Sequence, residues 1–447
     1  MSIHNTNRLV TSIFMACLMV PFSIAAKPSS QYVPAEQQAK LIDQLLQQRV
    51  KQLLPQLMRR ADIDMWVLIS REYNEDPVLR TLLPSDWFSA RRRTILVFFD
   101  RGIAANGVDL GVEALAVARY DVGNVFRKAW NPEQQPNQWQ ALQAIISERQ
   151  PRRIGINTST DFAQADGLTL TDYRELILNL KPEQSQRLVS AEALAVGWLE
   201  TRIAEEIPHY QQAVSIAHDI IAEGFSNAVV QVGETTTSDI EWWFLNAIKQ
   251  RGLSAWFPPT VTLQRQGNKT PRLSNQVVQA GDLLHVDLGL VYLRLNTDTQ
   301  QHAYVLPKGQ TEAPASLRQA LQNGNKLQDI LTAQFNVGRT GNQVLAQARS
   351  KALSEQLRPL IYSHPIGYYG HGSGPIIGMW DNQADTKGTG DYPLFANTAY
   401  SIELSNTTYS ENWQQDVVIM LEEDAIFDGE RVQYLNGRQR AFHFIRE

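Results

Sequence analysis

One cysteine serves a chain of 447 residues, and that one, Cys17, lies in an apolar run near the N-terminus. A disulfide framework, a thiolate metal site and a cysteine nucleophile are therefore excluded from the body of the protein. Basic charge is also short: 41 lysines and arginines stand against 46 acidic residues, for a formal net charge of −5. The densest basic cluster, Arg91-Arg92-Arg93, runs straight into the strand-like Thr94–Phe99 and reads as a solvated strand entrance. No nucleic-acid partner is expected, since that needs an extended positive face. No internal repeat or low-complexity segment is evident.

What is present begins with Arg8 followed by an apolar run from Leu9 to Ile24 that closes on Ser23-Ile24-Ala25-Ala26. The run is short for a membrane span, contains Pro21 and ends in small residues, the pattern of a secretory signal cleaved after Ala25 or Ala26. Residues 1–26 are thus expected to be removed and the mature protein to be exported, to the periplasm, with no membrane association afterwards. Cys17 is not placed as a lipoprotein cysteine, because Phe14-Met15 precede it and more apolar residues follow.

The chain as a whole is 43% apolar and 19% charged with ten tryptophans, the composition of a chain that buries a large core. Its length fits two domains at about 100–200 residues each. The first, residues 32–195, alternates helix and strand: a helix over Gln37–Arg59, a strand from Met65, a strand at Thr94–Phe99, a helix at Gln138–Glu148 and a strand at Arg153–Asn157. The second, residues 200–447, opens on a helix near Ala204 with Ile207, Tyr210, Val214, Ala217 and Ile221 on one face. A second helix follows, with Ser238-x-x-Glu241 as its capping box, Ile240, Phe244 and Ile248 as its stripe and Gly252 as its stop. From Leu283 strand signals dominate, broken by a helical stretch at Ala315–Arg349.

Candidate chemistry is concentrated in this second half. Asp287 ends an apolar strand before Gly289, and Asp298 follows eleven residues later near the start of the next strand. If the two segments form a hairpin, the carboxylates converge and must share a proton or a cation. Taken alone the pair is better read as two ordinary turn aspartates, common next to Gly and Asn. Ser363-His364-Pro365-Ile366-Gly367 and His371 bring two imidazoles seven residues apart. Glu403 lies in the alternating Tyr400–Ser405, where a glutamate on a wet strand face is the bland reading. Val417–Leu421 runs directly into Glu422-Glu423-Asp424, and three acids inside an apolar strand need either a solvated edge or a task.

Taken in order, these residues resemble the metallopeptidases that share the pita-bread fold: methionine aminopeptidase, aminopeptidase P and prolidase. The resemblance spans about residues 200–447, and the preceding region is similar to the smaller N-terminal domain of aminopeptidase P, prolidase and creatinase. It implies an α/β (α+β) fold, with a curved antiparallel sheet covered by helices preceded by a smaller α/β domain. It also implies two divalent ions, Mn, Co, Zn or Fe. Asp287 would bind one, Asp298 and Glu422 would bridge both, and His364 and Glu403 would bind the other. Glu403 would also handle the proton of an attacking water and His371 would stabilise the oxyanion. A peptide substrate with a free amino terminus, of the Xaa-Pro type, is implied, and a homo-oligomer is left open. A register that uses His371-Gly372-Ser373-Gly374-Pro375 instead loses a ligand at Pro375 and is set aside.

Departures from the pattern concern what surrounds the ions. Thr270 stands where the family has a further histidine, Met420 replaces the arginine two before the last glutamate, and Gln301 replaces a basic residue after the second aspartate. His302 is the nearest stand-in for that basic residue, although a strand surface position is the simpler reading. The segment Gly372–Pro393 is longer than the family norm, with an active-site loop and a surface excursion as its two readings. A scaffold that keeps the fold without catalysis, and a metal-free creatinase-like hydrolase, are the alternatives; the complete ligand set weighs against both.

Overall fold

The computed structural model describes residues 33–447. The expected leader and Cys17 lie outside the described residues. Among the described residues no helix is long and apolar enough to cross a membrane.

Residues 65–190 form a six-stranded sheet in the order Arg127–Lys128, Val112–Ala116, Arg93–Asp100, Met65–Arg71, Ile154–Ile156, Leu188–Ser190. The central strand Met65–Arg71 pairs antiparallel with Arg93–Asp100 and parallel with Ile154–Ile156. Both of its faces are apolar, and the strand period of two divides them. Trp66 and Leu68, with Leu96 and Phe98, pack under Leu54, Leu57, Leu79 and Trp198. Met65, Val67 and Ile69, with Ile95 and Val97, pack under Trp139, Leu142, Ile146 and Leu176. Such a strand must be covered by helices on both sides, and it is.

The helix expected over Gln37–Arg59 is two, Ala35–Gln52 and Leu54–Arg60. Pro55 sits in the first turn of the second, where its missing N–H costs nothing. The helical stretch expected at Ala315–Arg349 is likewise two helices, Ala315–Thr332 and Gly341–Ser354, the second capped by Thr340 with Gln343. The capping box foreseen at Ser238 and Glu241 is displaced. The helix Thr237–Gln250 begins two residues earlier than that pairing needs, so Thr236 accepts from the Asp239 N–H and Asp239 accepts from Thr236. Glu241 instead accepts from the Val261 N–H at 2.9 Å.

Beyond residue 250 the sheets are antiparallel apart from one pair. One sheet orders His443–Arg446, Thr299–Leu306, Leu283–Leu288, Thr260–Gln264, with His443–Arg446 parallel to Thr299–Leu306. A second joins Pro359–Ile361, Leu404–Ser410 and Gln415–Leu421. A third joins His364–Pro365, Thr398–Ser401, Asp424–Phe427 and Val432–Tyr434. A bridge between Gln300 and Glu422 stitches the first sheet to the second. The helix Ile207–Gly224 packs its Tyr210, Val214, Ala217 and Ile221 against the first sheet's apolar face, and Ala315–Thr332 covers Leu404–Ser410 and Gln415–Leu421. The inner face between the sheets is left to polar side chains.

Candidate metal centre

Strand alternation sets this inner face. Leu283–Leu288 pairs with Thr299–Leu306 so that Asp287 lies opposite Gln300 and His285 opposite His302. Residues 285, 287, 298, 300 and 302 therefore share one side of the ladder, while Leu284, Val286 and Leu288 point into the apolar core. The hairpin expected for the two aspartates exists, with the short strands Leu290–Tyr292 and Leu295–Asn296 making its turn.

The acid triplet is resolved by a break in the ladder. Gln415–Leu421 ends before it and Asp424–Phe427 begins within it, and all three acids are buried. Each looks a different way. Glu422 turns to Asp298 and His364; Glu423 bonds His218, Gln301 and the Gln439 N–H; Asp424 accepts from the Asp298 N–H. The solvated-edge reading is thus excluded. Gln301, where a basic residue was missed, donates to Glu423 at 3.1 Å and accepts at its Oε1 from His443.

Asp298, His364 and Glu422 place one ligand atom each within 4.8 Å of one another. From His364 Nε2 the distances are 4.0 Å to Asp298 Oδ2, 3.7 Å to Glu403 Oε2 and 3.6 Å to Glu422 Oε1. The other ring nitrogen, Nδ1, meets the Pro365 carbonyl at 3.0 Å. A proton on Nδ1 leaves the Nε2 lone pair facing three carboxylates, the arrangement of a metal-bound imidazole with its outer partner in place. His364 Nε2, Asp287 Oδ1 and Asp298 Oδ1 are buried with no hydrogen-bond partner. Burial, then the charge of Glu422, pushes the Asp287, Asp298 and Glu403 carboxyls well above the usual carboxylate range. Uncompensated acids and an orphaned imidazole at this spacing fit a divalent cation. Asp298, His364 and Glu422 form the tightest trio; Glu403 adjoins it at His364 and Asp287 adjoins it beside Glu422 and Asp298.

His371 stands beside His364, ring centroids 4.9 Å apart, with Trp256 edge-on at 5.3 Å. Burial and the neighbouring imidazole lower its pKa. Its carbonyl accepts from the Gln164 amide, and Ser373 donates to the same side chain, so the imidazole's backbone is held by the first half of the chain. The Gly372–Pro393 excursion lies against that half as well. Gly374, at φ +134°, passes so close that a Cβ there would sit 2.6 Å from Glu200 Oε2.

Some expectations fail. His302 is neither at the surface nor a stand-in for the missing base: it is fully buried, with Nδ1 bonded to the Leu284 carbonyl and Nε2 accepting from the Met420 N–H. Thr270 is exposed and bonds only locally to Asn268. Two residues on, Arg272 reaches over the site and its Nε donates to Met420 Sδ at 3.2 Å. Its charge bears on Asp287 and Glu403. Arg272, two residues after the Thr270 departure, thus meets the Met420 departure in space, and a cation stands there from a different segment of the chain. Gln300 was missed altogether. Its amide donates to Glu403 Oε1 and Glu422 Oε2, both at 2.6 Å, and its Oε1 faces His285 Nε2 at 2.8 Å. The spacing of two from Asp298 was the signal that could have found it.

Residues 209–427 match the model of metallopeptidase family M24. No curated protein matches the chain. Among solved structures, X-Pro aminopeptidase from Thermotoga maritima is similar at 16% identity and TM-score 0.60, covering 87% of this chain and 99% of that one. Xaa-Pro dipeptidase from Bacillus anthracis is similar at 14% identity and TM-score 0.59, covering 92% and 100%. Prolidase from Pyrococcus furiosus follows the same fold at 14% identity and TM-score 0.53, covering 86% and 100%.

Proposed function

We propose, from the match of residues 209–427 to the model of metallopeptidase family M24, that the chain is a dinuclear peptidase that removes a residue from a free amino terminus when proline follows. The observation that carries the reading is the orphaned Nε2 of His364 facing Asp298, Glu403 and Glu422. His364, Asp298, Glu403 and Glu422 would hold one ion, and Asp287 with Asp298 and Glu422 a second. Mn, Co, Zn or Fe suits such a set of carboxylates and one imidazole.

Bound there, divalent ions supply Lewis acidity and lower the pKa of water toward neutrality. The side chains supply the rest. Glu403, at the edge of the acid cluster, takes the proton of the attacking water and returns it to the leaving nitrogen. His371, next to His364, donates to the oxyanion as it develops. The acid-rich wall favours the substrate's ammonium group. Trp256, against His371, gives the site an apolar side on which a proline ring can rest. The leader read in residues 1–26 would put this activity outside the cytoplasm, which fractionation of expressing cells tests.

The deciding experiment assays protein reconstituted with each metal on a small peptide library, with and without proline in the second position. Cleavage confined to Xaa-Pro peptides supports the full reading. Cleavage without regard to proline removes the specificity, and cleavage of nothing by metal-loaded protein favours a binding scaffold of the same fold.

A further inference from the structure

The two imidazoles of the site, His364 and His371, are joined by a segment without regular structure. Residues 366–374 belong to no helix or strand, so no ladder of backbone bonds fixes their path. Other parts of the chain hold them instead. The Tyr368 ring lies under the guanidinium groups of Arg49 and Arg202, at 5.1 and 4.8 Å. The Tyr369 hydroxyl donates to the Pro77 carbonyl at 2.7 Å. Gly370 passes so close to Trp256 that a Cβ there would sit 2.3 Å from the indole. Beyond it Gln164 spans two residues: Nε2 donates to the His371 carbonyl at 2.9 Å, and Oε1 accepts from Ser373 Oγ at 3.2 Å. The reversed amide would set its oxygen against a carbonyl oxygen, so His371 fixes which way it points.

Gln164 stands on the one-turn helix Ala163–Ala165. Phe162 and Ala165, on either side, are buried in the core that holds Trp66 and Trp198, so its base is firm. The peptide it grips reaches the other imidazole directly. The carbonyl of His371 and the N–H of Gly372 belong to one peptide plane, and that N–H donates to the Pro365 carbonyl at 2.8 Å. The same Pro365 carbonyl meets His364 Nδ1 at 3.0 Å. Both polar atoms of the plane are thus bonded, one to the first half of the chain and one to the oxygen that orients His364.

We propose that Gln164 is a positioning residue for the hydrolysis: by holding the His371–Gly372 peptide plane it sets where the His371 imidazole stands beside His364, and it makes the first half of the chain part of the active site. The inference rests on the role of His371 in the proposed peptidase and adds the group that places it. Gln164 acts through His371 rather than on the substrate. Displacing an oxyanion donor by about 1 Å is enough to cost about 10²-fold in rate.

Steady-state kinetics of the Mn²⁺-loaded full-length protein, on the peptide cleaved fastest in the library assay, test this. Gln164→Met keeps the length of the side chain and removes both hydrogen bonds. It should lower kcat by about 10- to 100-fold, with KM and the Mn²⁺ retained after dialysis unchanged. In a His371→Ala background the same substitution should change kcat by less than about twofold, because the group it places is gone. Gln164→Glu keeps the acceptor for Ser373 but opposes a carboxylate to the His371 carbonyl; it should lower kcat at least as far, and it serves if Gln164→Met does not fold. In the metal-free protein the imidazole carbon-bound proton signal of His371, identified by its loss in His371→Ala, should shift in both Gln164 variants. Wild-type kcat in the Gln164 variants, an unmoved His371 signal, or an equal loss with and without the His371 imidazole would each overturn the role of Gln164 and leave the peptidase standing. No cleavage by wild type would overturn both.

Discussion

Asp76 and Asp298 are both buried aspartates, one beside the six-stranded sheet and one between the later sheets, and they are treated in opposite ways. Asp76 caps the helix Pro77–Leu82: Oδ1 accepts from the Val78 and Leu79 N–H groups and Oδ2 from the Asn157 amide. Every oxygen has a donor, and Asn157 is in turn tied to Trp66. Asp298 has an oxygen with no partner and four acids for neighbours. The same contrast separates His302, bonded at both nitrogens, from His364, bonded at one. Burial does not distinguish a working polar group from a structural one; the unmet hydrogen bond does.

Substitutions on the two sides should break in different currencies. Asp298→Ala should abolish hydrolysis, and Glu403→Gln should lower kcat by about 10²–10⁴-fold while the protein still folds, measured by steady-state kinetics with circular dichroism as the control. Unchanged turnover in either variant would remove the catalytic assignment. Chelation should come next. Stripping the ions should lower the unfolding temperature, because a ligand at 100 times its Kd contributes about 2.7 kcal/mol, and Asp298→Ala should no longer respond. Asp76→Ala should do the reverse, costing about 1–2 kcal/mol through the lost cap in a denaturant melt while the bound metal stays constant.

A pH-dependent effect should come from Glu200, which shares features of both classes. It is fully buried with both oxygens unpartnered, Arg60 is 3.9 Å away, and burial pushes its pKa up to about 8. Its folded-state pKa lies above the unfolded value, so the folded state holds the extra proton between about pH 4.5 and 8. Stability from this group is therefore greatest at low pH and declines as pH rises through that window. Glu200→Gln should flatten that decline in melts taken from pH 5 to 8.5; a slope equal to that of wild type would contradict the assignment.

Legibility in the sequence followed the range of the interaction. The candidate site could be picked out because Asp287, Asp298, His364, Glu403 and Glu422 are each marked by a local pattern, a strand end, a glycine turn or an acid in an apolar run. The mixed α/β class could be read because Met65–Ile69 and Thr94–Phe99 are apolar on both faces. Boundaries set by a single cap, such as Thr236 against Ser238, differ by two residues and were misplaced. What could not be read is what arrives across the sheets. Arg272 meets Met420 from 148 residues away, and Gln300 reaches Glu422 from 122; no spacing along the chain announces the first, and only the step of two from Asp298 hints at the second. His302 was misplaced because a half-polar strand looks solvated until the second sheet is laid over it.

The triplet Glu422-Glu423-Asp424 carries a consequence for how this gene can change. Three neighbouring carboxylates serve three separate clients: the candidate metal centre, the His218 and Gln301 side chains, and the Asp298 backbone. Exchanging one side chain damages one client. Gaining or losing one codon here rotates every carboxylate onto its neighbour's assignment at once, so length, more than identity, is what this short stretch cannot vary.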